Sequence, residues 1–127
     1  MTRIRIRWDN GEVTGTLNDS ETAQKLAGAL PCEGPANTWG EEAYVVVPLD
    51  VSLDNEPKQV VDPGTICYWV QGQAVALAYG PTPISEKNEC RLVTACNVIG
   101  KVDGDARQLA SIAEGMTLTL ERTEETG

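Results

Sequence analysis

Residues 2–8 alternate without a break, with Ile4, Ile6 and Trp8 on one side and Arg3, Arg5 and Arg7 on the other. A helix would scatter these apolar residues around its cylinder, whereas a strand gathers them on one buried face. Asp9-Asn10-Gly11-Glu12 follows. Asn-Gly is the strongest short hairpin signal, because a type I′ turn needs positive φ at both central residues. With Asn10-Gly11 as the turn, Trp8 is expected opposite Val13, Ile6 opposite Gly15 and Ile4 opposite Leu17, and the arginines opposite Thr14, Thr16 and Asn18. Every apolar residue then shares one face, which a one-residue slip would destroy. The arginine row reads as a solvated strand face rather than a binding stripe.

The remaining chain continues in short elements. Thr22, Ala23, Leu26, Ala27 and Leu30 recur at helical spacing, so a helix is expected from Asn18 to Leu30, with Asn18 as N-cap, Glu21 at N3 and Pro31 as terminator. Periodicity breaks from Cys32 to Tyr44. Tyr44–Val47 reads as a buried strand, and Leu49–Pro63 as a polar connector. Thr65–Val70 and Gln73–Tyr79 read as a second hairpin with Trp69 facing Ala74, Tyr68 facing Val75 and Cys67 facing Ala76. Both strands are apolar at almost every residue, so both faces should be covered. Gly80-Pro81-Thr82-Pro83 is a stiff loop and Lys87–Cys90 a polar tip. Val93–Val102 contains a strand, with Ala95, Asn97, Ile99 and Lys101 on one side and Cys96, Val98 and Val102 on the other. Gly100 signals a bulge or a close approach. Asp105–Ala113 reads as a short helix, Met116–Leu120 as a closing strand, and 122–127 as a frayed tail. The expectation is one domain over residues 1–127, mainly β, with about eight strands and one or two short helices closed into a barrel.

Composition narrows the chemistry. The chain has no His and no Phe, which removes Ser-His-Asp and Cys-His catalysis and leaves three Trp and three Tyr as the only aromatic anchors. Nineteen acidic against ten basic residues give a net charge of −9. Such a surface repels phosphate backbones and disfavours anionic ligands, leaving neutral or cationic ones. Cys32, Cys67, Cys90 and Cys96 form no C-x-x-C pair and read as reduced, mostly buried thiols; no metal or cofactor is expected. The N-terminal stretch lacks a secretory pattern and no apolar run approaches membrane length, so a cytoplasmic protein without membrane contact is expected.

Three blocks carry a resemblance: Asn37-Thr38-Trp39-Gly40-Glu41-Glu42-Ala43-Tyr44, then Tyr68-Trp69 through Gly72 to Tyr79-Gly80-Pro81-Thr82-Pro83-Ile84-Ser85, then Asn97-Val98-Ile99-Gly100-Lys101-Val102. In that order, over about residues 2–103, the chain resembles the small prokaryotic cyclophilin-like domain family, a domain of unknown function. The resemblance implies a closed cyclophilin-type barrel with a helix capping one end. True cyclophilins resemble one another through an Arg facing a groove lined by Phe, with His and Gln nearby. That signature is missing here, which argues against prolyl isomerisation.

The Asn37–Glu42 segment admits two readings. In one, Asn37 and Thr38 offer hydrogen bonds, Trp39 stacks on a ligand, and Glu41 or Glu42 recognises a polar group at a barrel mouth. In the other, Asn37 and Thr38 fix the turn, Gly40 takes positive φ, and Trp39 plugs a barrel end. Adjacent strand residues point to opposite faces, so at most one of Glu41 and Glu42 faces inward, which argues against a carboxylate-pair hydrolase. Tyr79 and Thr82 either border the same mouth or merely stiffen a strand exit. Asn97, within an apolar strand, either bridges backbone groups in the core or lines the pocket. The candidate ligand residues are therefore Asn37, Thr38, Trp39, Glu41, Glu42, Tyr79, Thr82 and Asn97, with no catalytic residue assigned.

The leading expectation is a binding module for a small molecule or peptide. A structural or assembly subunit comes next, with a homodimer suggested by the two apolar faces of the second hairpin. Third is an enzyme using a lone Glu, residual prolyl isomerase activity included.

Overall fold

A computed structural model of the chain describes residues 1–123. Strands β1 (Thr2–Trp8) and β2 (Gly11–Leu17) form the opening hairpin. Its register differs from expectation by two residues: Trp8 lies opposite Gly11, Ile6 opposite Val13, Ile4 opposite Gly15 and Thr2 opposite Leu17. The turn is Asp9-Asn10, and neither Asn10 nor Gly11 is among the positive-φ residues described. Gly11 instead makes room for an aromatic ring, since a Cβ there would fall 2.8 Å from Cζ2 of Trp8. A two-residue shift preserves the faces, so the inward set is the expected one. Outside, Arg3 pairs with Asp103 at 2.6 Å, while Arg5 and Arg7 share Glu121.

The helix α1 spans Glu21–Ala29, and its N-cap is Ser20, whose hydroxyl accepts from the Ala23 N–H. Asn18, expected as the cap, accepts from the Ser20 N–H and donates to the Val98 carbonyl, tying the helix entry to a neighbouring strand. Thr22, Ala23, Leu26 and Ala27 are the buried face.

Eight further strands follow: β3 (Cys32–Pro35), β4 (Asn37–Thr38), β5 (Glu42–Val46), β6 (Lys58–Val61), β7 (Thr65–Trp69), β8 (Ala74–Ala78), β9 (Cys90–Val102) and β10 (Thr117–Arg122). Nine of the ten run side by side in the order β3-β10-β1-β2-β9-β7-β8-β5-β4, and β6 pairs with β9 alone. The sheet curls until β3 meets β5, where a Cβ on Gly34 would lie 3.1 Å from Val45. The result is a nearly closed barrel. Of the extra strands, β3 and β4 lie in the segment without periodicity. The helix expected near the C-terminus is a single 3-10 helix, Ala106–Ser111, capped by Asp105. Of the tail expected to fray, Arg122 ends β10 and the Thr123 N–H donates to the Arg3 carbonyl; residues 124–127 lie outside the described residues.

The β7–β8 pairing is the expected one, with Cys67, Tyr68 and Trp69 opposite Ala76, Val75 and Ala74. Alternation sends Tyr68 into the barrel core with Ile4, Ile6, Leu17, Leu77 and Leu120. Its hydroxyl donates to the Val47 carbonyl and accepts from the Leu49 N–H. Cys67, Ala76 and Ala78 face out and join a second apolar cluster with Cys90, Leu92 and Cys96. That cluster exists because β9 is three residues longer than expected at its N-terminal end and carries β6 with it. Both faces of the second hairpin are thus covered within one chain, which meets the apolar surplus that had suggested a second copy.

The expected phase of β9 fails beyond Ile99. Ile66 pairs with Gly100 while Cys67 pairs with Val98, so Ile99 is a bulge residue. Ile99 and Val102 both end up buried, and Lys101 exposed. Gly100 packs against β2, where a Cβ would meet the Thr16 carbonyl oxygen at 2.3 Å. Gly100→Ala should therefore cost about 2 kcal/mol, the scale of overpacking. The check is a lower urea midpoint at unchanged slope; an unmoved midpoint would show that the two strands separate freely.

Candidate functional site

Two of the sequence blocks fold onto each other. Gly40, at φ +62°, leads Trp39-Gly40-Glu41 across the Gly80–Pro83 loop, and a Cβ on it would lie 2.8 Å from Pro83 Cδ and 2.9 Å from Thr82 Cα. The Glu41 N–H donates to the Pro81 carbonyl, and the Tyr79 N–H to the Glu41 carbonyl, both at 2.9 Å. The Trp39 N–H closes the turn on the Glu42 carbonyl.

Six of the eight candidate residues tie segments of the chain together rather than line the pocket, five of them around this scaffold and Asn97 away from it. Thr38 binds Glu114 Oε1 through its N–H and its hydroxyl, both at 2.8 Å. The Asn37 amide leans toward the carbonyls of Pro35 and Tyr44. Buried Thr82 donates its hydroxyl to the Arg91 carbonyl, and its N–H to Ser85 Oγ. Glu41 points outward and pairs with Arg107 at 2.8 Å, and that guanidinium sits 5.3 Å from the centre of the Tyr79 ring. Asn97 is fully buried away from the pocket. Its Oδ1 accepts from the Asp54 N–H, and its Nδ2 donates to Thr22 Oγ1 and the Ser52 carbonyl, so it fastens the connector and α1 to β9.

Trp39 and Glu42 do meet, in a cavity of about 160 Å³ on the outer face of the barrel rather than at its mouth. They share it with Tyr44, Trp69, Ala76, Leu92, Val93 and Cys96. Glu42 and Tyr44 stand two apart on β5 and so present to the same side, while Ala43 and Val45 enter the core. Across the sheet Tyr44 pairs with Ala76, whose small side chain leaves the depression. Trp69 meets Tyr44 edge to face, with ring centres 5.9 Å apart. Of the residues missed in the sequence, Tyr44 and Trp69 had a partial signal in the alternation, while Ala76, Leu92, Val93 and Cys96 had none. Extending the β5 alternation back to Glu42, and the β7 alternation past Tyr68, puts a carboxyl, a phenol and an indole on one outer surface.

The site is electrostatically unfinished. Glu42 is 6% exposed, and its Oε1 has no hydrogen-bond partner. Burial pushes its pKa up to about 7. Trp69 Nε1 is the other buried side-chain polar atom without a partner among the described residues. The thiols beside Glu42 stay protonated, since burial raises Cys67 and Cys90 and pushes Cys96 up to about 12; none is poised as a nucleophile. No group of three His, Cys, Asp or Glu able to hold a metal occurs among the described residues. No helix among them is long and apolar enough to cross a membrane.

A nearly closed barrel with a helix packed against its core is the architecture of a cyclophilin-type domain. The chain belongs to the Cyclophilin-like family, which matches residues 2–121. A search of curated proteins returned no match. Among solved structures, the chain is similar to a hypothetical protein of Archaeoglobus fulgidus solved in solution, at 34% identity and a TM-score of 0.80, covering 96% of this chain and 95% of that one. It is also similar to McbB in complex with tryptophan, at 19% identity and a TM-score of 0.67, covering 98% of this chain and 46% of that one. The second likeness shows the fold alone.

The unpaired carboxyl has a signature in stability. The ordinary Glu value is 4.5, and in the folded chain it rises to about 7. Between those pH values the unfolded chain releases its proton first, so Glu42 costs stability as pH rises, reaching about 3 kcal/mol above the window. Glu42→Gln should gain on the wild type between pH 4.5 and 7 and keep a constant offset below pH 4.5. Urea melts across pH 4 to 8 check this, and an offset that never varies would mean that Glu42 is ordinarily solvated.

Proposed function

We propose that this domain is a small-molecule-binding module and that the outer-face pocket is its binding site. The observation that carries the reading is the pair of unpartnered buried atoms, Glu42 Oε1 and Trp69 Nε1, on residues of one otherwise apolar wall. Buried polar groups are nearly always hydrogen-bonded, and leaving one unpaired costs roughly 1–3 kcal/mol. Both atoms are occluded, so they reach a ligand only when the Glu42 and Trp69 side chains turn toward it; a ligand that brings a donor to the carboxyl and an acceptor to the indole then removes that cost. Size limits what fits. An apolar cavity of about 150 Å³ holds benzene, so a pocket of about 160 Å³ suits one ring, one short branched chain or one peptide side chain.

The same geometry speaks against prolyl isomerisation. No arginine lines the pocket, and the chain has neither the Phe nor the His of the cyclophilin groove. A second reading is favoured by one observation, the rise of the Glu42 pKa to about 7. A carboxyl there can give and take a proton at neutral pH, so Glu42 could serve as a lone general acid–base in the bound state.

The test is a pair of small aromatic probes, benzyl alcohol and indole, followed by amide NMR. Shifts should cluster on residues 39–44, 69 and 92–96. Val93→Trp, which fills the pocket from its exposed rim, should abolish them while leaving the fold intact. Binding that ignores this variant, or no binding by any probe, would remove the pocket from the account.

A further inference from the structure

We infer that the pocket recognises a compact organic ammonium ion, with Glu42 as its counter-ion and Trp39, Tyr44 and Trp69 as its walls. This inference rests on the pocket being a ligand site, and it names the class of ligand.

Charge comes first. Glu42 has no cation of its own: no Lys or Arg is among the residues lining the pocket. Arg107 is committed to Glu41 and Arg91 to Glu89 and Glu86, and Lys58, opposite Cys96 in the β6–β9 pair, is exposed and not among the lining residues. The titratable groups packed against it, Cys67 of β7 and Cys90 and Cys96 of β9, are buried thiols that stay neutral. β8 contributes only alanines to that side. An N–H of a cationic ligand would supply both the missing hydrogen bond and the missing charge, and charge-assisted bonds are the strong ones.

The walls agree. Three of the six aromatic residues of the chain border this one carboxyl. Aromatic faces carry negative potential and attract cations, and cages of aromatics are a known solution for ammonium recognition. Alternatives fare worse on the same residues. An anion would lie against Glu42 within a chain of net charge −9. A purely apolar ligand would leave Glu42 Oε1 and Trp69 Nε1, already buried, still unpaired, keeping their cost. The unpartnered indole N–H further suits an ammonium ion that also carries one hydrogen-bond acceptor.

The test compares benzylammonium with benzyl alcohol, which matches it in shape but lacks the charge, by calorimetry at pH 8. Benzylammonium should bind about tenfold more tightly to the wild type, the scale of a charge-assisted bond. In Glu42→Gln that preference should shrink to about twofold, with benzyl alcohol unaffected. Trp39→Leu keeps the apolar area but removes one ring face; it should weaken benzylammonium several-fold more than benzyl alcohol. Equal or tighter binding of benzyl alcohol to the wild type overturns the ammonium assignment while leaving the pocket as a ligand site. A preference that survives Glu42→Gln also overturns it. Binding of neither probe, nor of indole, would remove both readings together.

Discussion

The seating of Gly40 against Pro81–Pro83 is the contact on which the rest of the site depends. Because Glu41 is pinned by two backbone hydrogen bonds to that loop, β5 begins in one phase only. Glu41 must point away, to Arg107; Glu42 must point to the outer surface; Ala43 must enter the core. A one-residue slip would drive Glu42 into the barrel, where no partner exists, and lift Ala43 out. The stiffness of Gly80-Pro81-Thr82-Pro83 is therefore positional. Thr82 and Ser85 bind the start of β9, so the loop also aligns the strand that supplies Leu92, Val93 and Cys96 to the pocket.

Much of the fold is legible where alternation is strict. The inward set of β1, the β7–β8 register and the burial of Tyr68 follow from period two alone. The first hairpin shows where local signals stop. Asn10-Gly11 predicts a mirror-image turn, but the Trp8 ring needs the space above Gly11, and packing moves the turn by one residue and the register by two without changing the faces. Ser20 wins the helix cap because Asn18 is used in bridging to Val98. The bulge at Ile99 reverses the faces of the last residues of β9, and only the glycine beside it announces this.

The site divides along a similar line. That at most one of the two adjacent glutamates faces inward was derivable; that neither does, and that Glu42 is the one turned to the pocket, was not, since the phase of β5 depends on the distant Pro81 carbonyl. Asn37, Thr38, Tyr79 and Thr82 belong to unusual, polar, turn-rich segments, and the structure uses that polarity to tie loops together. Tyr44 and Trp69 sit inside ordinary apolar strands, where nothing local separates a wall residue from a core residue. Their role depends on Ala76 between them and on the length of β9. A stability penalty at one carboxyl, borne by a barrel with a well-packed interior, is the kind of local cost found where a partner is to be bound.

The most direct test is the titration of Glu42 itself, followed by carbon-13 NMR of its side-chain carboxyl. An isolated, uncompensated carboxyl in an aromatic pocket should titrate near 7, and saturating benzylammonium should move the midpoint down toward the ordinary carboxylate range. A midpoint near 4.5 in the free protein would contradict the account, because Glu42 would then already have the solvent or partner that the pocket is argued to lack.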